Sequence, residues 1–171
     1  MKYDYKTLYE KNVAFYEKRP LAKKLLLNGS HILTAVFMLA YALFILLSFK
    51  AEFFAQELTN VLFVPCLGFF ITSVVRLCVD KARPYSEQGA GITPMVEKKN
   101  SDMKSFPSRH TACAFVIAMV FLYHLPAIGV GLLLLSALLA YIRFALGLHY
   151  PSDLLFGAFI GIACGSLIFI L

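Results

Sequence analysis

Long apolar runs dominate the chain and alternate with short polar connections. Each run is close to the roughly 20 residues that a helix needs to cross a bilayer. The runs cover residues 28–49, 58–79, 107–125, 126–146 and 151–171. Pro126 cannot continue the hydrogen-bonding ladder of a preceding helix, so the third and fourth runs are expected to form a tight hairpin. The pattern predicts an all-α, multi-pass transmembrane helical bundle of about five spans.

The first 27 residues show a different pattern, in which lysines and arginines alternate with aromatic and aliphatic residues. Tyr5, Leu8, Tyr9 and Val13 follow one another at spacings of three and four, which puts an apolar stripe on one side of a basic helix. Such a helix is suited to the headgroup region of a membrane. We therefore expect an interfacial segment over residues 1–27 and a transmembrane domain over residues 28–171.

The composition argues against a soluble enzyme. Hydrophobic residues make up 60% of the 171 and charged residues 15%, whereas soluble domains carry about 25% charged residues. The net charge of +6 fits anionic headgroups or a phosphorylated lipid better than nucleic acid in so apolar a chain. Membrane lipids are therefore the expected partners, and no nucleic acid is expected.

One polar connection, residues 80–106, interrupts the apolar runs. With five spans, it lies on the same membrane face as the N-terminus and the turn at 147–151. Arg143 lies inside an apolar run, and a charge embedded in the bilayer needs a partner, for which an anion is the natural candidate. The cations and imidazoles predicted at this face are Arg76, Arg83, Arg109, Arg143, His110 and His149.

This set of side chains favours a phosphoryl group as the ligand. Arginine binds phosphate oxygens through a fixed, two-pronged set of donors. Pro107-Ser108 and Pro151-Ser152 both indicate helix starts, whose unpaired backbone N–H groups also bind anions. A metal site would need more ligating groups and fewer cations, so neither a metal nor another cofactor is expected.

The spacing of His149 and Asp153 predicts a catalytic role. They are four residues apart, so the carboxylate can accept a hydrogen bond from one imidazole nitrogen and leave the other free to attack phosphorus. Gly147 and Pro151 break the helix, which lets Arg143 and His149 both point inward. His110 can then protonate the leaving oxygen. His31 and His124 lack such neighbours and are expected to be structural.

Three sequence patterns, Arg76-x6-Arg83-Pro84, Pro107-Ser108-Arg109-His110 and Arg143-x5-His149-x3-Asp153, resemble the signature of the type 2 phosphatidic acid phosphatase (PAP2) family in order and spacing. The resemblance implies a metal-independent lipid phosphatase that works through a phosphohistidine. Implied substrates are phosphatidate, phosphatidylglycerol phosphate or a polyprenyl pyrophosphate such as undecaprenyl pyrophosphate. The implied roles are His149 as nucleophile, Asp153 as its orienting partner, His110 as general acid, and Arg76, Arg83, Ser108 and Arg143 as phosphate ligands.

The chain departs from the family pattern at three positions. Arg76 replaces the usual Lys, which keeps the charge but changes a point donor into a fork. Ile142 replaces a Ser, so no role for that hydroxyl is carried over. Arg109 replaces the Gly of the second motif, and two interpretations stay open: it binds a second phosphate, or it points outward. The predicted five spans are also one fewer than the six that are common in the family.

The membrane face and the reaction leave alternatives. The resemblance places the active site on the extracytoplasmic face of a cell membrane, whereas the positive-inside rule places these basic segments in the cytoplasm. We expect the extracytoplasmic face, because several of the cations belong to the site. The alternatives to a phosphatase are a non-catalytic phospholipid-binding or anion-carrier membrane protein, in which the same arginines bind phosphate, and a lipid phosphotransferase.

Overall fold

A computed structural model shows a bundle of helices. It describes residues 5–50, 58–96 and 103–171, so residues 97–102 of the polar connection lie outside the described part. Within those ranges the chain forms helices and no strand, which confirms the all-α prediction. The helices are α1 (Tyr5–Glu17), α2 (Pro20–Lys50), α3 (Leu58–Cys78), α4 (Arg109–His124), α5 (Pro126–Ala145) and α6 (Pro151–Ser166), followed by a 3₁₀ turn, Leu167–Phe169.

Four of the five expected spans, carried by α2, α3, α5 and α6, have the length and hydropathy to cross a membrane. The remaining expected span, residues 107–125, corresponds to α4, which has only 16 residues. It was expected to begin at 107, but Ser108 is extended, with ψ at 108°, and the helix begins after it. Apolar side chains on the outer surfaces are widely exposed, for example Leu39 at 69% and Leu134 at 69%. An apolar exterior suits lipid, and the chain is an integral membrane protein.

The first long helix begins earlier than the sequence pattern predicts. Pro20 occupies its first position, where a missing N–H costs nothing, and residues 21–27 continue the helix instead of ending an interfacial segment. The break between α1 and α2 therefore lies at Lys18 and Arg19. The division into an interfacial segment of residues 1–27 and a domain of residues 28–171 stays a prediction.

The short helix α4 lies at the centre of the bundle and is buried along most of its length. It packs closely against α6, which places Gly157, Gly161 and Gly165 against it. A Cβ added to Gly161 would lie 2.5 Å from the backbone oxygen of Ala112. Small residues let two helix backbones approach this closely. The contact fixes the ends of α4 and α6, from which the expected site residues emerge.

The apolar stripe of α1 packs in large part on the protein itself, whereas the sequence suggested the headgroup region of a membrane as its surroundings. Tyr9 is 2% exposed and its hydroxyl donates to the carbonyl of Thr93 at 3.0 Å. Asn12 donates to the carbonyl of Ala145 at 3.0 Å. The stripe packs on the protein because carbonyl acceptors and an aromatic surface are available there, whereas Leu8 remains 40% exposed. Thus α1 covers the end of α5 and the polar connection.

Replacing Gly161 by Ala should destabilise the bundle. The new methyl would overlap the backbone of α4, and overpacking of this kind costs about 1 to 3 kcal/mol. Gly131→Ala in α5 is the matched control, because nothing lies within 4 Å of an added Cβ there, and we expect no loss of stability. Thermal unfolding of the detergent-purified variants, followed by circular dichroism, measures both. Equal unfolding midpoints would contradict the close contact.

Candidate active site

The three segments that carry the predicted site residues meet at one end of the bundle. The backbone N–H of Ser105 donates to the carbonyl of Lys81 at 2.8 Å, and that of Ser108 donates to the carbonyl of Asp153 at 3.0 Å. Arg76 Nη1 donates to a carbonyl of the segment before α4 at 3.2 Å. These bonds bring the polar connection and the starts of α4 and α6 together, and α1 packs at the same end.

The chain reverses between α5 and α6 in a short turn, residues 146–150, which we call the site turn. Gly147 has φ +76°, a conformation that favours glycine. A Cβ at this position would also lie 2.9 Å from the ring of Tyr9 and 2.8 Å from Ile92. The turn breaks the helix as expected, and it leaves Arg143 and His149 buried, at 3% and 1% exposure.

Asp153 is completely buried and accepts hydrogen bonds from four donors, one of which is Ser152 Oγ, 3.4 Å from Oδ1. Its Oδ1 accepts from Lys81 Nζ at 2.5 Å, and its Oδ2 accepts from Ser105 Oγ at 2.5 Å and from the backbone N–H of Tyr150 at 3.1 Å. The last bond belongs to a capping box at the start of α6. Together the donors compensate the cost of burying a carboxylate.

His149 lies near Asp153 but does not bond to it directly. Nδ1 is 3.8 Å from Asp153 Oδ2, which is longer than a hydrogen bond, and 3.5 Å from Ser105 Oγ. The expected hydrogen bond from His149 to Asp153 is longer than usual here, Oδ2 accepts from Ser105 instead, and the role of Asp153 as orienting partner stays a prediction. Burial, together with the charges of Arg143 and Arg83, lowers the pKa of His149 to about 4, although Asp153 opposes this shift. The imidazole is neutral at neutral pH, as a nucleophile must be.

Positive charge accumulates beside this histidine. Arg83 is 5% exposed and donates to the carbonyl of Leu148 at 3.3 Å, and Arg143 donates to Ser30 Oγ at 3.2 Å. Repulsion acts among Arg76, Arg83 and Arg143. Arg143 Nε is buried and has no hydrogen-bond partner within the described residues. An excess of buried cations with an unused donor is a site for an anion.

The residues of the second pattern differ in how deeply they are buried. Ser108 is completely buried, and its Oγ accepts from Thr111 Oγ1 at 3.0 Å. His110 is half-buried. Arg109 is exposed, with its guanidinium carbon 5.8 Å from the ring centre of Phe69. Its role as a phosphate ligand stays a prediction.

Two adjoining cavities share the walls formed by Thr34 and His110. The polar cavity, about 600 Å³, is also lined by Ser30, His31 and Arg143. The apolar cavity, about 330 Å³, lies beside it between α2, α3 and α4, and its lining includes Phe37, Met38, Phe69, Cys113 and Ile117. The combined space accommodates a ligand with a polar head and an apolar chain.

Three residues at this site were not singled out from the sequence as functional. Lys81 lies between Arg76 and Arg83, and its position inside that pattern was the available signal. Ser105 had no distinguishing signal beyond its place just before the second pattern, since serines are common in loops. His31 was expected to be structural, but it is exposed and lines the polar cavity.

Comparisons with known proteins identify the family and the fold of this chain. The family model of the PAP2 superfamily matches residues 57–171. The crystal structure of LpxE from Aquifex aeolicus is similar with a TM-score of 0.70 and 22% identity, over 90% of this chain and 88% of that one. The crystal structure of a transmembrane PAP2-type phosphatidylglycerolphosphate phosphatase from Bacillus subtilis has a TM-score of 0.70 and 20% identity, over 96% of this chain and 82% of that one. At these identities the likeness concerns the fold.

The buried neutral imidazole makes stability depend on pH. Between about pH 4 and 6.5, the unfolded chain binds a proton at His149 that the folded chain does not, so the free energy of unfolding rises with pH across this window. His149→Gln should remove that part of the rise. Unfolding midpoints of detergent-purified protein across the window measure it. Parallel pH curves for the two proteins would contradict the lowered pKa of His149.

Proposed function

Because the chain belongs to the PAP2 superfamily, we propose that it hydrolyses a phospholipid phosphate or a polyprenyl pyrophosphate through a phosphohistidine intermediate. One observation carries the proposal. Arg143, buried and with an unused Nε donor, lines a cavity that continues into an apolar one. A lipid with a phosphorylated head meets both requirements, since the head neutralises the cations and the chain fills the apolar space.

The reaction has two displacements at phosphorus. In the first, His149 Nε2 attacks, the bond from phosphorus to the lipid oxygen breaks, and His110 gives that oxygen a proton. In the second, water attacks phosphorus, the N–P bond breaks, and His110 takes the proton of the water. The products are inorganic phosphate and the lipid that has lost one phosphoryl group.

The cations carry most of the stabilisation in this scheme. Negative charge on the transferring group spreads over its oxygens, and fixed donors aimed at those oxygens lower the barrier. Arg83 and Arg143 are held by bonds to Leu148 and Ser30, so little reorganisation is needed. Arg76 and Ser108 complete the proposed set of phosphate ligands.

The proposal includes a membrane face and a class of substrate. The site lies at the end of the bundle where α1 and the polar connection meet, which suits a headgroup at the membrane surface, and we place it on the extracytoplasmic side of a cell membrane. Phosphatidylglycerol phosphate, phosphatidate and undecaprenyl pyrophosphate are the candidate substrates. Support for phosphatidylglycerol phosphate comes from the similar structure from Bacillus subtilis, which is described as a phosphatidylglycerolphosphate phosphatase.

The decisive assay is phosphate release from these three lipids by detergent-purified protein in EDTA. We expect release from at least one, and we expect His149→Ala to lose it while remaining folded, because His149 supplies the nitrogen of the proposed N–P bond. His124→Ala is the matched control: it removes an imidazole at the opposite end of α4, about 22 Å away along the helix, and should retain activity.

The outcomes of this assay separate the alternatives. Activity in folded His149→Ala would contradict the phosphohistidine. Phosphate-containing lipid bound but never hydrolysed by wild-type protein would favour the binding or carrier alternative. Transfer of the phosphoryl group to an added alcohol, with no inorganic phosphate formed, would favour the phosphotransferase.

Filling the apolar cavity should impair the use of long-chain substrates. Met38 lines the apolar cavity and is 64% exposed, so Met38→Trp puts a bulkier side chain into that cavity without disturbing a buried core. We expect a raised KM for long-chain lipid phosphates and little change for short-chain analogues. Leu46→Trp, on the same helix and 62% exposed but outside the lining, is the control. Equal kinetics for the two variants would place the lipid chain elsewhere.

A further inference from the structure

Ser105 lies between the carboxylate and the imidazole of the site. We propose that it is a positioning residue through which Asp153 orients His149, an inference that rests on the proposed role of His149. In this arrangement the Nδ1–H of His149 donates to Ser105 Oγ, and the Ser105 hydroxyl donates to Asp153 Oδ2. A serine hydroxyl can donate and accept at the same time, so both bonds can exist together.

The distances support this order of atoms. Ser105 Oγ is 2.5 Å from Asp153 Oδ2 and 3.5 Å from His149 Nδ1, whereas Nδ1 and Oδ2 are 3.8 Å apart. Ser105 is completely buried, and its backbone N–H is bonded to the carbonyl of Lys81. Its hydroxyl therefore has a fixed position, and the short bond to a carboxylate is of the strong, charge-assisted kind.

Other donors hold the carboxylate away from the imidazole. Lys81 binds Oδ1 and also donates to Ser152 Oγ at 2.9 Å, with its ammonium 4.7 Å from the ring centre of Tyr150. The backbone N–H of Tyr150 shares Oδ2 with Ser105. Asp153 thus belongs to the start of α6 and to the polar connection, and Ser105 bridges the remaining gap to His149.

The bridge has a chemical consequence for the nucleophile. It places the proton of neutral His149 on Nδ1, which leaves the lone pair of Nε2 free for phosphorus. When the N–P bond forms, the ring becomes positively charged, and the hydroxyl transmits the stabilising effect of the carboxylate. No proton leaves Nδ1 in either displacement, so the bridge orients the ring and takes no part in proton transfer.

Three substitutions test the bridge by kinetics. Ser105→Ala should lower kcat about 100-fold, the loss that a misplacement of a reacting group by roughly 1 Å can cause, with KM nearly unchanged, because the ring is misoriented but the phosphate ligands remain. Ser105→Thr keeps the hydroxyl and should restore most of kcat. Ser136→Ala is the matched control, since it removes a completely buried hydroxyl, bonded to Leu132 in α5, outside the site.

A second measurement does not depend on turnover. The chain has four histidines, and ¹⁵N-histidine NMR of the detergent-solubilised protein, assigned with His149→Gln, reports which nitrogen of His149 carries the proton. The Nδ1–H form should dominate in wild type and Ser105→Thr and lose its dominance in Ser105→Ala. If Ser105→Ala does not fold, Ser105→Cys, a weak donor of similar size, replaces it in both experiments.

The two readouts distinguish this proposal from the proposed function. Wild-type kcat and an unchanged tautomer in Ser105→Ala would overturn the bridge, while phosphate release by the wild type would still support the phosphatase. A tautomer that depends on Ser105 in a protein that releases no phosphate would support the bridge and overturn the hydrolytic function. Loss of kcat in both Ser105→Ala and Ser105→Thr, with unchanged tautomers, would also overturn the bridge.

Discussion

The buried carboxylate of Asp153 is the interaction on which the site depends. A lone carboxylate in this environment would be strongly destabilising, so each of its donors has to be in place when the bundle forms. Those donors come from the polar connection and from the start of α6, and the backbone carbonyl of the same residue accepts from Ser108. Asp153 therefore joins three segments of the chain, and the packing of the helices holds these segments in place.

The charge distribution around this carboxylate explains why an anion belongs in the site. Lys81 pairs with Asp153, and the guanidinium of Arg143 is buried with its Nε unbonded among the described residues. The same burial that makes these charges costly keeps the imidazole of His149 neutral. In the proposed reaction, desolvation thus keeps His149 ready for attack and also strengthens the attraction for a phosphate group.

The sequence predicted what depends on local pattern. Hydropathy located the helices, and the spacing of Arg143, Gly147, His149 and Asp153 predicted the break that turns the site inward. The sequence did not predict the contacts between residues that lie far apart along the chain. Ser105 reaches His149 across 44 positions and Tyr9 reaches Thr93 across 84. A periodic stripe shows that a helix face packs against an apolar surface, but protein and lipid both offer one, so the stripe of α1 could not predict that Tyr9 and Val13 pack on the protein.

The part of the chain that precedes residue 57 lies outside the match to the family, yet it supplies walls of the site. Ser30 receives the bond from Arg143, and Tyr9 packs over Gly147 where no Cβ fits. The matched region therefore does not contain all the surfaces that border the site. A fragment cut at the family boundary would retain every motif residue and lose the surfaces that hold the motifs in position, and a motif search alone would rate it intact.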